Sequence, residues 1–193
     1  MKLACLLTAA GTGRRFGEDK LRMPVGGEPM GVLTLNVLCQ APFDLKVLVT
    51  SEDKEYLMAA AWEKGFAVVI NPAPERGMSS SVRMGTAHIL KTGTYDGILY
   101  AVADQPNLSA DTVKRLAEAF LHEPRYIWAP VADGRRGNPV IFPAFLFAEL
   151  LEVEGDRGGR QVIAAHPELL RTIDVLSSTE LKDIDTKEDM RIC

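Results

Sequence analysis

The stretch 6–20, LLTAAGTGRRFGEDK, limits what this chain can fold into more than any other. It begins inside an apolar run, Leu3-Ala4-Cys5-Leu6-Leu7, in which no polar residue alternates. That is the composition of a strand buried on both faces, and such strands belong to sheets covered by helices on each side. The run then breaks into Ala9-Ala10-Gly11-Thr12-Gly13, small residues that let backbone come close to a ligand. Arg14, Arg15 and Lys20 follow. Outward-facing backbone N–H groups with cations around a glycine turn suit a polyphosphate. A solvated basic turn after a first strand has the same pattern, so the turn alone leaves both readings open.

Spacing removes two kinds of nucleotide site. A dinucleotide fingerprint needs G-x-G-x-x-G, and here the third glycine comes one residue late, at Gly17. A P-loop needs G-x-x-x-x-G-K-[ST], but Gly17 precedes Glu18 and Lys20 precedes Leu21.

Further apolar runs predict strands over 45–49, 66–70, 98–103, 126–131 and 139–142, with short extended pieces at 170–175 and 182–184. Helices are expected between them. Pro29 opens one over 30–38, and Ser51 with Glu52 and Asp53 starts a second. Ser79 or Ser80 caps a third running to residue 90; Ser109 caps a fourth whose Val113, Leu116, Ala117 and Phe120 keep helical spacing. Two more fall at 143–153 and 160–165, separated by a loop at 154–159, and a terminal helix starts at Thr186. Strands alternating with helices predict a three-layer, Rossmann-like α/β fold with a mostly parallel sheet. At 193 residues the expectation is one domain spanning 1–193.

Charge narrows the partners. Lys and Arg number 22 against 26 Asp and Glu, a net −4, so neither nucleic acid nor an anionic membrane is expected. No run approaches eighteen apolar residues and nothing before the first strand reads as a signal peptide, so the expected setting is cytoplasmic. Cys5, Cys39 and Cys193 are too far apart for a metal-ligand spacing.

In open α/β sheets a ligand lies beyond the carboxyl ends of the strands. The polar clusters fall there. The third strand is followed by Asn71-Pro72 and Gly77-Met78-Ser79-Ser80-Ser81-Val82-Arg83, the fourth by Asp104-Gln105-Pro106. A carboxylate at a strand tip beside a phosphate turn suits Mg²⁺, which takes one or two carboxylates and completes its shell with phosphate oxygens and water. An Asx turn before Pro106 is the other reading of Asp104.

The segment Ala9-Ala10-Gly11-Thr12-Gly13-Arg14-Arg15-Phe16-Gly17-Glu18-Asp19-Lys20 resembles the signature A-A-G-x-G-x-R-F-G-x-x-K of nucleotidyltransferases with a glycosyltransferase-A-like fold. Later segments extend the resemblance in order. They are Asn71-Pro72, 77–85, Asp104-Gln105-Pro106, Gly137-Asn138-Pro139-Val140, Gly155-Asp156-x-Gly158-Gly159-Arg160 and Asp183-Ile184-Asp185-Thr186-x-Glu188-Asp189. Together they look like the MobA-like family, in its molybdenum-cofactor cytidylyltransferase branch.

The resemblance implies transfer of CMP from CTP to the phosphate of a molybdopterin-type acceptor with release of pyrophosphate, Mg²⁺ as cofactor, and transient contact with a molybdoenzyme or its chaperone. It implies catalytic roles for Arg15, Lys20 and Asp104, and metal ligation by Asp104 and Asp185. Nucleotide contacts would come from Ala9, Ala10, Gly11, Thr12, Gly13, Arg15, Lys20, Asn71, Ser80, Ser81 and Arg83. The acceptor would meet Gly137, Asn138, Pro139, Asp156, Gly158, Gly159 and Arg160. Arg22-Met23 before Pro24, and Pro29-Met30-Gly31-Val32, depart from the family pattern. A guanylyl or other NTP transferase with a different phosphorylated acceptor, and a non-catalytic nucleotide-binding accessory protein, are the alternatives. His88, His122 and His166 read as solvated or capping residues, and Trp62 and Trp128 as core or partly buried packing. Arg135-Arg136 reads either as a contact to the pterin phosphate or as a solvated hairpin tip.

Overall fold

In the computed structural model, residues 1–11, 19–175, 177–186, 188 and 189 are described. Thr12, Gly13, Arg14, Arg15 and Cys193 lie outside the described residues, as does most of the terminal helix expected from Thr186.

Among the described residues the strands are, in chain order, β1 (Leu3–Thr8), β2 (Pro24–Val25), β3 (Glu28–Pro29), β4 (Leu45–Thr50), β5 (Ala67–Ile70), β6 (Gly97–Val102), β7 (Ile127–Ala132), β8 (Arg135–Arg136), β9 (Val140–Pro143) and β10 (Leu170–Asp174). The helices are α1 (Met30–Leu38), α2 (Glu55–Glu63), α3 (Met78–Thr92), α4 (Ala110–His122), α5 (Phe147–Leu151) and α6 (Arg160–Ala165). The main sheet runs β10-β7-β9-β6-β1-β4-β5, with β8 on β7, while β2 and β3 make a separate hairpin. Pairings β1–β4, β1–β6, β4–β5 and β7–β10 are parallel; β9 is antiparallel to both β6 and β7.

Alternation along β1 builds two cores. Leu3, Cys5 and Leu7 face one side with Met30, Leu35, Leu57, Leu116 and Phe120, so α1, α2 and α4 cover that face. Ala4 and Leu6 face the other with Val82, Ile89, Leu150, Val162 and Ile163, so α3, α5 and α6 cover it. This is the expected three-layer α/β/α arrangement. Close approach of α3 to the sheet requires Gly85, where a Cβ would overlap Leu6 and Val49.

Four local expectations are corrected. α2 starts at Glu55 instead of Ser51: Lys54 keeps non-helical backbone angles (φ −102°, ψ 49°) and its ammonium reaches Asp19. α3 is preceded by Gly77 (φ +86°) and not by a serine cap, and the Ser80 hydroxyl donates back to the Gly77 carbonyl at 2.8 Å. Trp62 lies on the outer face of α2 and is 61% exposed, because the face toward the sheet is filled by Leu57 and Ala61. Residues 182–184 form no strand; a single bond from Ile184 N–H to the Asp104 carbonyl (3.0 Å) ties them to the end of β6. Ser109 does cap α4, accepting from Thr112 N–H at 3.1 Å.

Candidate active site

The chain leaves β1 toward β4 on one side and later returns to β6 on the other. The crevice where adjacent connections part is the place for a ligand in such a sheet. Register puts Thr8 beside Val49 and Val102, so three strand ends reach one level. Ala9 N–H donates to Val49 O at 2.8 Å, and Ala103 N–H to Thr8 O at 3.1 Å. The ladder then ends, and a cavity of about 330 Å³ opens. Thr8, Ala9, Ala10 and Gly11 line one wall, and Val102, Ala103 and Asp104 the next. Pro74, Glu75, Gly77, Met78 and Ser81 supply the third, and Lys20, Leu21 and Asp156 complete the lining.

Charge converges at one end. Lys20 Nζ donates to Asp104 Oδ2 at 2.8 Å, to Asp185 Oδ1 at 3.1 Å and to the Ile184 carbonyl at 3.0 Å. Burial of the Lys20 ammonium lowers its pKa, but the two carboxylates more than offset this and the net shift is upward. Asp104 Oδ1, by contrast, is buried with no partner among the described residues. A buried carboxylate oxygen left unpaired is unfavourable unless a cation or donor reaches it. Asp104 and Asp185 with that free oxygen fit a hard divalent cation that takes its other ligands from phosphate and water.

Three features missed in the sequence hold this cluster. Glu180 is buried, and its Oε2 accepts from Ser109 N–H (3.2 Å) and Thr112 Oγ1 (2.7 Å), which pins the C-terminal segment to the start of α4. Gln105 Nε2 donates to the Leu181 carbonyl (3.2 Å) and to Asp183 Oδ1 (2.8 Å). Burial, then the Asp104 and Asp185 carboxylates, raise the Asp183 carboxyl to about 6. On the other side, Asp19 accepts from Lys54 Nζ at 3.2 Å and from Tyr56 Oη at 3.0 Å, directly before Lys20. Lys54 is almost fully buried, and a buried ammonium needs a partner; nothing in the sequence marked Lys54 as buried or Asp19 as that partner.

The sequence-derived residues separate into three groups. Ala9, Ala10, Gly11, Lys20, Ser81, Asp104 and Asp156 line the cavity, and Asp185 joins it through Lys20. Asn71 is buried: its Nδ2 donates to Ser80 Oγ (2.8 Å) and Ser81 Oγ (3.0 Å), and its Oδ1 accepts from Ala73 N–H (3.0 Å). Asn71, Ser80 and Arg83 border a different groove with Pro72 and Arg76. Gly137, Asn138, Gly159 and Arg160 line a small hollow beside β6, with Arg136. Pro139 follows a cis peptide bond and is buried, and Gly158 packs under Met78.

Residues 5–170 match the MobA-like NTP transferase domain. The chain belongs to this family. Among MobA-like relatives, it is 28% identical to the purine catabolism protein PucB of Bacillus subtilis over 94% of this chain and 90% of that one. Identity is 30% to the nicotine blue oxidoreductase of Paenarthrobacter nicotinovorans, over 96% and 93%. It is 26% to a probable molybdenum cofactor guanylyltransferase of Pyrococcus horikoshii, over 81% and 76%. The crystal structure of Rv0371c from Mycobacterium tuberculosis superposes with a TM-score of 0.86 at 26% identity, covering 100% of this chain and 96% of that one. Rv0371c has also been solved as a complex with manganese. The MobA-like chain thus has the glycosyltransferase-A-like nucleotidyltransferase fold that its first turn resembles.

Proposed function

We propose that this MobA-like nucleotidyltransferase moves CMP from CTP to the phosphate of a molybdopterin-type acceptor and releases pyrophosphate. The observation that carries the reading is the meeting of Lys20, Asp104 and Asp185 at the end of a cavity walled by Ala9, Ala10 and Gly11. Backbone of the first turn would receive the nucleoside, and Ser81 would stand beside it. Lys20 would hold the triphosphate where charge builds on the leaving pyrophosphate. Asp104 and Asp185 would hold Mg²⁺, which when bound neutralises phosphate charge and orients the displacement. Asp156, an exposed residue of the cavity lining, would meet the acceptor. An acceptor phosphate needs no general base, because it is already anionic.

The proposed setting is the cytoplasm, with transient delivery to a molybdoenzyme or its chaperone; among the described residues no helix is long and apolar enough to cross a membrane. A guanylyl reading has one specific support, the guanylyltransferase among the relatives. The test is pyrophosphate release with each of the four NTPs, Mg²⁺ and molybdopterin. CTP-dependent release is the expected result; release with GTP alone favours the second reading, and no release with any NTP rejects transfer to this acceptor.

A further inference from the structure

The N-terminus of α3 is closed from a distance. The first N–H groups of a helix have no acceptor within it, and a serine of the same helix is the expected cap. Instead Ser79 turns to the loop between α5 and α6. Its N–H donates to the Gly155 carbonyl at 3.1 Å and its hydroxyl to the same oxygen at 2.5 Å, across 76 positions of sequence. A carbonyl oxygen has two lone pairs, and here a single residue takes both. Ser79 is 1% exposed, so little water competes for these bonds. Its neighbours face other partners: Ser80 and Ser81 accept from Asn71, and Ser80 donates to Gly77.

The loop that Ser79 reaches carries Asp156 into the cavity wall. Its close approach requires Gly77, where a Cβ would overlap Asp156 Oδ1 and stand 2.9 Å from the Gly155 carbonyl oxygen. The Asp156 carboxylate therefore lies over the start of α3, the end of a helix that favours negative charge. Otherwise the loop bonds to itself and to the helix it leads into. Gln161 Nε2 donates to the Glu154 carbonyl at 2.5 Å, and Arg160 N–H to the Arg157 carbonyl at 3.0 Å. Gly158 packs under Met78, and Gly159 against Phe142. Among the described residues, the hydrogen bonds that tie residues 155–158 to an element other than α6 are the two from Ser79. Met78 and Ser81, in the same first turn of α3, line the cavity. Ser79 thus joins one cavity wall to the loop that completes it.

We propose that Ser79 is a positioning residue: by holding Gly155 it fixes Asp156 in the cavity wall and sets where the acceptor meets the nucleotide. The consequence for the acceptor rests on the reading above; the hold on the loop does not.

Limited digestion with trypsin tests the hold directly, because proteolysis follows the population of the locally opened segment. Arg157 is exposed within the loop, and Arg135, exposed at the hairpin tip, reports on the rest of the protein. Ser79→Ala keeps the backbone bond and loses the hydroxyl bond. Loss of one neutral hydrogen bond should speed cleavage after Arg157 about fivefold and leave cleavage after Arg135 unchanged. Ser79→Cys, similar in shape but a weaker donor, should fall between wild type and Ser79→Ala. Cleavage after Arg157 unchanged in Ser79→Ala shows no hold on the loop, and an equal rise at both arginines shows a general loss of stability; either result overturns the proposal. In steady-state assays Ser79→Ala should raise KM for the acceptor about fivefold and leave KM for CTP unchanged. Faster cleavage after Arg157 with acceptor KM unchanged, or with both KM values raised alike, would overturn the positioning role toward the acceptor. If the wild-type protein does not use molybdopterin, that acceptor is rejected, and cleavage after Arg157 still decides whether Ser79 holds the loop.

Discussion

The Lys20 ammonium stands 2.8 Å from Asp104 Oδ2, between the two carboxylates proposed to hold a divalent cation. Without nucleotide it therefore acts as their counter-charge. A cation entering this site must displace it or share the carboxylates with it, and like charges a few ångströms apart repel even when partly hydrated. Lys20→Met should tighten Mn²⁺ binding to the nucleotide-free protein by about tenfold, roughly 1.4 kcal/mol. The same change should lower kcat more than it raises KM for the nucleotide, because the lysine's contact strengthens as charge moves to pyrophosphate. Mn²⁺ titration followed by electron paramagnetic resonance gives the first quantity. An affinity equal to wild type would mean that Lys20 does not compete for the site.

A second prediction concerns how Lys20 is held. Asp19 precedes it, caps the short turn over residues 20–22 by accepting from Leu21 N–H, and is fixed by Lys54 and Tyr56. The Lys54 side chain is 3% exposed and that of Asp19 23%. Removing one partner of a largely buried ion pair leaves the other uncompensated. Lys54→Met should cost about 1–3 kcal/mol in urea unfolding, less than for a fully buried pair because Asp19 keeps Tyr56 and some water. It should also lower kcat, as the anchor beside Lys20 loosens. Full activity with reduced stability would show that the brace serves the fold alone.

Much of this was legible in the chain because local chemistry dictated it. The uninterrupted apolar run of β1 has the composition of a strand buried on both faces, and it is one, with helices on each side. Asp104 at the end of β6 followed from the same logic. What escaped the sequence was long-range. Glu180 reads as one more surface acid until the fold brings it to the start of α4, and Gln105 as a loop residue until the C-terminal segment lies across it. Asn71 and Ser80 were legible as polar residues at a strand end and a helix start. Which neighbour they would satisfy was not, and they spend their hydrogen bonds on each other, on Ser81 and on backbone. The serine before a helix misled twice, at Ser51 and at Ser79-Ser80. In both places a more demanding requirement, the reach of Lys54 to Asp19 and the left-handed Gly77, set the helix start.

Asp183 gives a pH prediction for the metal-free protein. Its carboxyl is raised from 3.8 to about 6, chiefly by burial and then by Asp104 and Asp185. A carboxyl whose folded pKa exceeds its unfolded one holds its proton more tightly in the native state. Its contribution to stability is therefore complete below about pH 4 and disappears as pH rises through about 6. In EDTA, the stability advantage of wild type over Asp183→Asn should shrink across this window. Asparagine can still accept from Gln105 Nε2, so the pair of proteins isolates the ionisation. Urea midpoints at pH 4.5, 5.5 and 7 measure it, and parallel pH curves for the two proteins would remove Asp183 as the titrating group.

The last prediction separates two adjacent alanines in base choice. Ala9 and Ala10 both line the cavity and are each 3% exposed, but Ala9 also belongs to the core cluster with Met30 and Leu35, whereas Ala10 joins neither core. Replacing Ala9 by glycine removes a buried methyl and frees the backbone, a loss of about 1–2 kcal/mol in stability. Its effect on base choice should be small, since the methyl is directed to packing. Ala10→Gly instead widens the wall beside the first turn. If the methyl limits the base to a pyrimidine, this change should improve kcat/KM for GTP relative to CTP by up to about tenfold, the range that one methyl-sized contact gives in a pocket. Wild type should prefer CTP in the same assay, with the same acceptor and Mg²⁺. A ratio that moves in Ala9→Gly and not in Ala10→Gly would exchange the two roles. A ratio fixed in both would place base selection elsewhere on the cavity wall, with Ser81 and Met78 the next residues to vary.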